Sequence, residues 1–517
     1  RRGSHWWKRG RAIAMLMLKN SQAVPFADIP HTTMGEWLRI VMDATQAGYG
    51  LSALFAVKDG ERHQVFTVLS SREQHRIGVV RTTIGQAYPA LTTDFPAAHW
   101  FERELYEQYG IEPEGHPWLK PIRFEPSVIP GRYVPDIGMA PFFEMEGQEV
   151  HEVGVGPVHA GVIEPGHFRF QCHGETVHHL EISLGYQHRG IERALVGGPG
   201  PRTIHLVETA AGDATVGHTD PFCRAIEALA GVEPGLHART VRAIGTELER
   251  LACHCGDLGA LAGDVGFLPT QNYCGRIRGD ILNLTALICG NRFGRGLAVP
   301  CGTRHSLEPG RCLLLLNRLD DIKRDLEDAI PLMFETPSVM NRMEGTGIVT
   351  PETAKAIGLV GPAARASGLP YDVRWDLDWE PWSHLDFKVP TCQSGDCAAR
   401  ARIRWAEIQV SIEIVNKLVS GILEGDDTGA AADCAINGDS LPDLCPDHFV
   451  VSMGEGWRGE ICHVAATDAS GRFAFYKIVD PSFHNWFGLA MALRNQQISD
   501  FPLCNKSFNL SYCGHDL

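Results

Sequence analysis

Three long stretches place apolar residues at helical spacing: Arg239–Ala262, Arg311–Met333 and Ala401–Leu423. In the second, the stripe is Leu313–Leu316, Leu319, Ile322, Leu326 and Ile330. In the third it is Ile408, Ile412, Leu418 and Ile422. A stripe of this width must be buried against another element, and three of them require a helix bundle. No run of eighteen apolar residues interrupts this pattern, so the sequence offers no bilayer-spanning helix. With 517 residues the chain is long enough for two or three domains.

The first third reads differently. Gly35–Ala47 has helical spacing at Leu38, Ile40, Val41 and Ala44. Leu51–Val57 and Gln64–Leu69 alternate as strands do, with the turn Asp59-Gly60 between them. Residues 21–125 therefore form a small α/β domain. A Pro- and Gly-rich linker follows at 126–145, and residues 146–517 form a mainly helical domain. Within the latter, Val162–Gly174 and Glu175–Leu184 suggest a β-hairpin. The fold class is α+β. Residues 1–20 read as an appendage.

The net charge of −15 excludes a nucleic-acid binder, since there is no basic field to displace counterions from phosphates. Fifteen cysteines, an odd number spread from Cys172 to Cys513, are too sparse for a disulfide scaffold and imply reduced, cytoplasmic thiols. Cys253-His254-Cys255 lies in a helical stretch, where neighbours two apart diverge and cannot chelate one metal. Cys392, Cys397, Cys504 and Cys513 read as idle buried thiols.

Several strings together carry a family resemblance. Trp100-Phe-Glu-Arg-Glu-Leu-Tyr-Glu-Gln-Tyr-Gly110, with Glu114-Gly-His-Pro117, resembles the 30-kDa subunit of complex I. Val155-Gly-Pro-Val-His-Ala-Gly-Val-Ile-Glu-Pro-Gly-His-Phe-Arg-Phe170 and Gly185-Tyr-Gln-His-Arg-Gly-Ile-Glu192 resemble the 49-kDa subunit and the large subunits of group 4 membrane-bound nickel–iron hydrogenases. Gly345-Thr-Gly347, Gly395-Asp396 and Trp457-Arg-Gly-Glu460 continue the pattern in order. The arrangement is that of a fused 30-kDa/49-kDa chain of the formate-hydrogenlyase type.

Hydrogenases of this family hold nickel and iron with two Cys-x-x-Cys pairs, whose thiolates suit a soft redox metal. Here the first segment reads Glu208-Thr-Ala-Ala211-Gly212-Asp-Ala214-Thr-Val-Gly-His218, and the second Asp480-Pro481-Ser482-Phe-His-Asn485. The frame persists, but Ala211, Ala214, Ser482 and Asn485 stand where the four cysteines would be. Metal is therefore not expected. The chain also continues 32 residues past Asn485, which fits a site with nothing to mature.

The resemblance implies a subunit of the peripheral arm of an energy-converting complex on the cytoplasmic face of the inner membrane. Its partners would be a small subunit carrying a 4Fe–4S cluster and membrane-arm subunits of the antiporter type. The chain itself would bind no cofactor. A cavity is expected to persist between the two segments and to take a quinone, as in complex I. His159 and His218 are the candidate proton donors, and Asp480 belongs to the cofactor-binding frame. Asp213 and His484 are titratable newcomers at the old metal position, and Glu164 stands where proton-relay glutamates occur. The alternative is a non-redox scaffold or coupling subunit. An active hydrogenase is the least expected of the three.

Overall fold

The structure, a computed structural model, describes residues 15–160, 163–425 and 441–517. The N-terminal unit is a sheet ordered Leu16–Leu18, Arg76–Ile84, Arg62–Ser71, Gly50–Asp59, with His31–Thr32 also pairing on Arg76–Ile84. The helix Met34–Gln46 starts at a capping box between Thr33 and Glu36 and buries Trp37, Ile40, Val41 and Ala44. Trp37 Nε1 donates to Thr67 Oγ1 at 2.8 Å, so the ring is buried without orphaning its N–H.

The expectation of an appendage over residues 1–20 is corrected for its last part. Leu16–Leu18 is a strand of the sheet and Leu18 lies in the core. Residues 1–14 lie outside the described residues. The stretch 126–145 contains no helix or strand, yet it is held against the second unit: Phe143 N donates to Glu181 Oε2 at 2.8 Å.

The helix His99–Tyr109 carries the Trp100–Gly110 string, and its acidic residues organise the chain around it. Glu102 accepts from the N–H groups of Leu91 and Thr92, and Glu107 from those of Ile122, Arg123 and Glu125. These carboxylates satisfy backbone donors that burial would otherwise orphan.

In the second unit, Leu236–Asp264, Leu268–Cys289, Pro309–Phe334 and Cys397–Glu424 form the bundle that the apolar stripes require. Val150–Val155, His167–His173 and Thr176–Ser183 make a three-stranded sheet. A second meander, His448–Gly456, Gly459–Thr467 and Phe473–Val479, has no counterpart in the sequence expectation. Nearly every residue of the first two strands is buried, so no period-two alternation betrays them. Against this meander lies the helix Thr215–Ala230.

The two units share one core. Val24–Pro25 pairs with His448–Phe449, and the Asn20 side chain brackets the backbone of Met453. Phe66 of the first unit stacks on Phe55 at 5.3 Å and approaches Phe475 at 5.4 Å and Phe449 at 6.2 Å. Phe66→Ala is therefore expected to cost about 3–5 kcal/mol, and to lower the stability of both units in a single urea transition. Two separate transitions would show that the units fold independently.

Candidate functional site

The two segments that frame the lost thiolates converge at the ends of two helices. Glu208 to Ala214 precede the helix Thr215–Ala230, and Asp480 is the N-cap of Pro481–Ala492. Asp480 is suited to that position locally: its Oδ1 accepts from Ser482 N at 2.7 Å, with Pro481 at the first helical residue.

Its other oxygen joins the segments. His218 Nε2 lies 3.0 Å from Asp480 Oδ2, and His218 Nδ1 lies 3.2 Å from His463 Nε2. His463 Nδ1 then lies 2.9 Å from the Tyr476 hydroxyl. All four side chains are buried. Burial opposes ionisation of Asp480, but the hydrogen bond from His218 and the charge of Arg458 outweigh it and hold the carboxyl below its usual range. Burial, with the Arg224 charge, pushes His463 well down and keeps it neutral. Burial pushes the Tyr476 phenol far up, so it keeps its proton.

The ionised Asp480 fixes the direction of the first bond. An ionised Asp480 only accepts, so His218 Nε2 donates to it. In the neutral tautomer of His218 that donates from Nε2, its Nδ1 accepts from His463 Nε2, and His463 Nδ1 accepts from Tyr476. The result is a four-member relay in which each group donates to the next.

Asp213, on the first segment, is held elsewhere. Arg458 grips both its carboxylate oxygens, at 2.5 and 2.8 Å, and donates through Nε to Asn509 O at 2.5 Å. Trp457 Nε1 donates to Asp213 O at 2.9 Å. Trp457 and Arg458 form the two-residue tip of the hairpin closed by Gly456 and Gly459. The sequence contained the signal, the Trp457–Glu460 string, without revealing its task. His463 and Tyr476 left no signal, since no motif surrounds them.

The four positions that the resemblance assigns to metal-binding cysteines are occupied as follows. Ala211 and Ala214 are buried in a small cluster with Cys253 and Trp457. Ser482 Oγ accepts from Ser511 N at 2.8 Å. The Asn485 amide clamps Val360, accepting from its N–H at 3.0 Å and donating to its carbonyl at 3.1 Å. Both polar side chains are thus committed to backbone groups. Among the described residues, no group of three or more His, Cys, Asp or Glu side chains is placed to hold a metal ion.

The two segments touch directly. They close on each other through His218 and Asp480, and Gly514 backs onto Asp480 so tightly that a Cβ there would lie 2.7 Å from its carboxyl carbon. A crevice of about 20 Å³ lies beside the first segment, lined by Asp213, Glu249, Cys253, Arg278, Arg292 and Phe293.

His159 and Glu164 lie outside the relay. His159 Nε2 is 2.9 Å from Gly166 O. Glu164 Oε2 accepts from Tyr512 N at 3.1 Å and Oε1 from Gln187 Nε2 at 3.4 Å. Cys513 lies against both Glu164 and the Gly212 backbone, and burial with the Glu164 charge pushes its thiol up to about 11. Asp516 accepts from the N–H groups of Gly185 and Gln187. Residues 511–517 thus connect Glu164 to the first segment.

His484 is buried beside Phe101, and its Nε2 has no hydrogen-bond partner among the described residues. Burial lowers it to about 4, with Asp480 opposing. In the unfolded chain a histidine takes a proton near pH 6.5, whereas here it stays neutral down to about 4. Stability is therefore expected to fall as pH drops from 6.5 towards 4, by up to about 3 kcal/mol from this one group. His484→Phe should flatten that part of a urea-denaturation series against pH.

With the fold and site in view, the class is that of a large subunit with a fused N-terminal unit. The family model for the respiratory-chain NADH dehydrogenase 30 Kd subunit matches residues 27–134, and that for the 49 Kd subunit matches 264–516. The chain belongs to this fused 30-kDa/49-kDa family of complex I-like and group 4 hydrogenase-like membrane complexes. It is 28% identical to the carbon monoxide-induced hydrogenase of Rhodospirillum rubrum, over 69% of this chain and 97% of that one. It is 30% identical to a subunit of the F(420)H(2) dehydrogenase of Methanosarcina mazei, over 64% and 84%. Formate hydrogenlyase subunit 5 of Escherichia coli is 26% identical over 82% and 76%. Among solved structures, a chain of the membrane-bound sulfane sulfur reductase, an archaeal respiratory membrane complex, superposes with a TM-score of 0.64. That match has 20% identity and covers 71% of this chain and 99% of the other, a likeness of fold alone.

Proposed function

We propose that this chain is the metal-free large subunit of the peripheral arm of a membrane-bound redox complex, and that it moves protons alongside electrons rather than handling hydrogen. The observation that carries this reading is the buried relay Tyr476–His463–His218–Asp480, which joins the two segments that would have held nickel and iron. The donor set does not fit that metal pair. Alanine offers no lone pair, and Ser482 and Asn485 are hard ligands already engaged with backbone groups.

Histidines in hydrogen-bonded series suit proton transfer to an acceptor whose reduction consumes protons. A quinone is such an acceptor. Its electrons would come from a 4Fe–4S cluster in a partner small subunit, and membrane-arm partners of the antiporter type would use the energy to translocate ions. Among the described residues no helix is long and apolar enough to cross a membrane, so attachment at the inner-membrane surface would run through those partners.

Metal analysis of the assembled complex tests the reading: iron without stoichiometric nickel is expected, together with electron transfer to a soluble quinone. Stoichiometric nickel, or hydrogen evolution, overturns it.

A second reading, a non-redox coupling subunit, is favoured by the direct closure of the two segments on each other. A partner small subunit lacking its four cluster cysteines would decide for it.

A further inference from the structure

Four of the cysteines that read as idle in the sequence separate sharply in space. Cys392 packs beside Ala366, Ala399 and Ile403, away from its neighbour in sequence. Cys513 lies against Glu164. Cys397 and Cys504, 107 residues apart, meet with their sulfurs 3.9 Å from each other.

The surroundings of this pair are specific. Cys397 is the first residue of the helix Cys397–Glu424, where the unpaired N–H groups favour negative charge. Arg400, one turn on, donates through a terminal nitrogen to Cys397 Sγ at 3.4 Å and through Nε to Ser507 Oγ at 2.8 Å. Ser507 Oγ is also 3.5 Å from Cys397 Sγ. Room for the second thiol comes from the turn at Gly347: a Cβ there would lie 2.6 Å from Cys504 Sγ. That position also has a φ of +66°, so a side chain is doubly disfavoured.

We propose that Cys397 and Cys504 are a peroxide-responsive dithiol pair, closing to a disulfide that ties the first turn of Cys397–Glu424 to the helix Phe501–Phe508. Cys397 is the attacking sulfur. The hydrogen bond from Cys504 and the Arg400 charge, against burial, bring its thiol down to about 6, while that hydrogen bond and burial push Cys504 well up. Both side chains are fully buried, which restricts the oxidant to one close to water in size, hydrogen peroxide.

The chemistry balances in two steps. The Cys397 thiolate attacks one peroxide oxygen; the S–O bond forms, the O–O bond breaks, and hydroxide leaves to be protonated to water. The Cys504 sulfur then attacks Cys397; the S–S bond forms, the S–O bond breaks, and a second water leaves with the remaining thiol proton. Two sulfurs give up two electrons and one peroxide takes them. Closing the bond moves the sulfurs together by about 2 Å, less than a single side-chain rotation supplies.

The link has a structural target. Phe501–Phe508 ends at Asn509, whose carbonyl receives Arg458 Nε at 2.5 Å and whose side chain donates to Asp257 at 2.5 Å. A cross-link at Cys504 would brace the strut that carries the Arg458–Asp213 pair.

The test is differential alkylation of the complex after hydrogen peroxide, with light reagent on denaturation and heavy reagent after reduction. Heavy label is expected on Cys397 and Cys504 together, in equal yield, with none before peroxide. Cys504→Ser should leave a sulfenic acid at Cys397 that a dimedone-type probe captures, and Cys397→Ser should leave Cys504 unoxidised. The proposal is overturned if both sulfurs stay light, or if Cys397 in the unmodified chain passes to sulfinic acid without the cross-link. It is equally overturned if Cys504 is oxidised in Cys397→Ser, or if the buried Cys462 acquires heavy label to the same extent, since oxidation would then be unselective.

Discussion

His218→Ala should abolish electron transfer to the acceptor and leave the complex assembled. The substitution removes the one side chain that bridges Asp480 and His463, so the relay is cut at its centre. Asp480 keeps the Ser482 N–H and the nearby Arg458 charge, which limits the stability loss to about 1–3 kcal/mol for a partly orphaned buried group. Tyr476→Phe is the gentler companion. It deletes only the hydroxyl at the far end, 2.9 Å from His463, and should slow turnover by about a hundredfold, the lower range for a lost proton-transfer group. Turnover at each pH, scaled to assembled complex, separates the cases. A purely structural His218 would reduce the amount of complex and leave turnover per complex unchanged, and Tyr476→Phe would then be silent.

Much of this site was legible as a frame and little of it as a mechanism. Glu208, Gly212, His218, Asp480 and Pro481 stand out because they flank a familiar ligand pattern, and the structure does bring His218 to Asp480. Asp213 stood out as a free titratable group, yet it is neutralised by Arg458, which lies 245 residues on. His463 and Tyr476 are invisible for a physical reason. They lie on adjacent strands buried on both faces, and their partnership depends on a strand register that no local signal encodes. Gly514 shows the same limit from the other side: its role is to be small beside Asp480, which only the packing reveals.

The fold divides along similar lines. Helices with one apolar stripe, such as Pro309–Phe334, are readable because the stripe is the condition of their burial. Thr215–Ala230 is buried almost all round, with Pro221 inside it, and so presents no stripe. The fusion of the two units into one core turns on Val24–Pro25, two residues too few to register as a strand.

Glu407→Ala is expected to be the most destabilising single change in the chain. Glu407 Oε1 accepts from Arg365 Nε at 2.7 Å, while Oε2 meets His254 Nε2 at 2.7 Å and lies 3.5 Å from Arg250. The connections run on from Arg365 to Glu455 at 2.8 Å, and from Arg374 to Asp372 at 2.6 Å and Glu247 at 2.8 Å. Every one of these side chains is at most 1% exposed wherever it takes part in an ion pair. Removing one carboxylate strands arginine charge away from water, which costs about 3–5 kcal/mol, a large share of a domain's whole stability. The charges also predict a finer effect. Three arginines, Arg250, Arg365 and Arg374, face four carboxyls, Glu247, Asp372, Glu407 and Glu455. The surplus appears at Glu455, which burial and the Asp372 charge push up to about 7. A carboxyl raised in the folded state contributes stability that is complete below its unfolded value of 4.5 and is lost as pH rises towards 7. Glu407→Gln keeps the shape and removes one negative charge, so Glu455 should ionise in its place. From urea denaturation at each pH, the stability of Glu407→Gln relative to the unmodified chain should then rise between pH 4.5 and 7, and a constant difference would mean that Glu455 does not share the charge of this network.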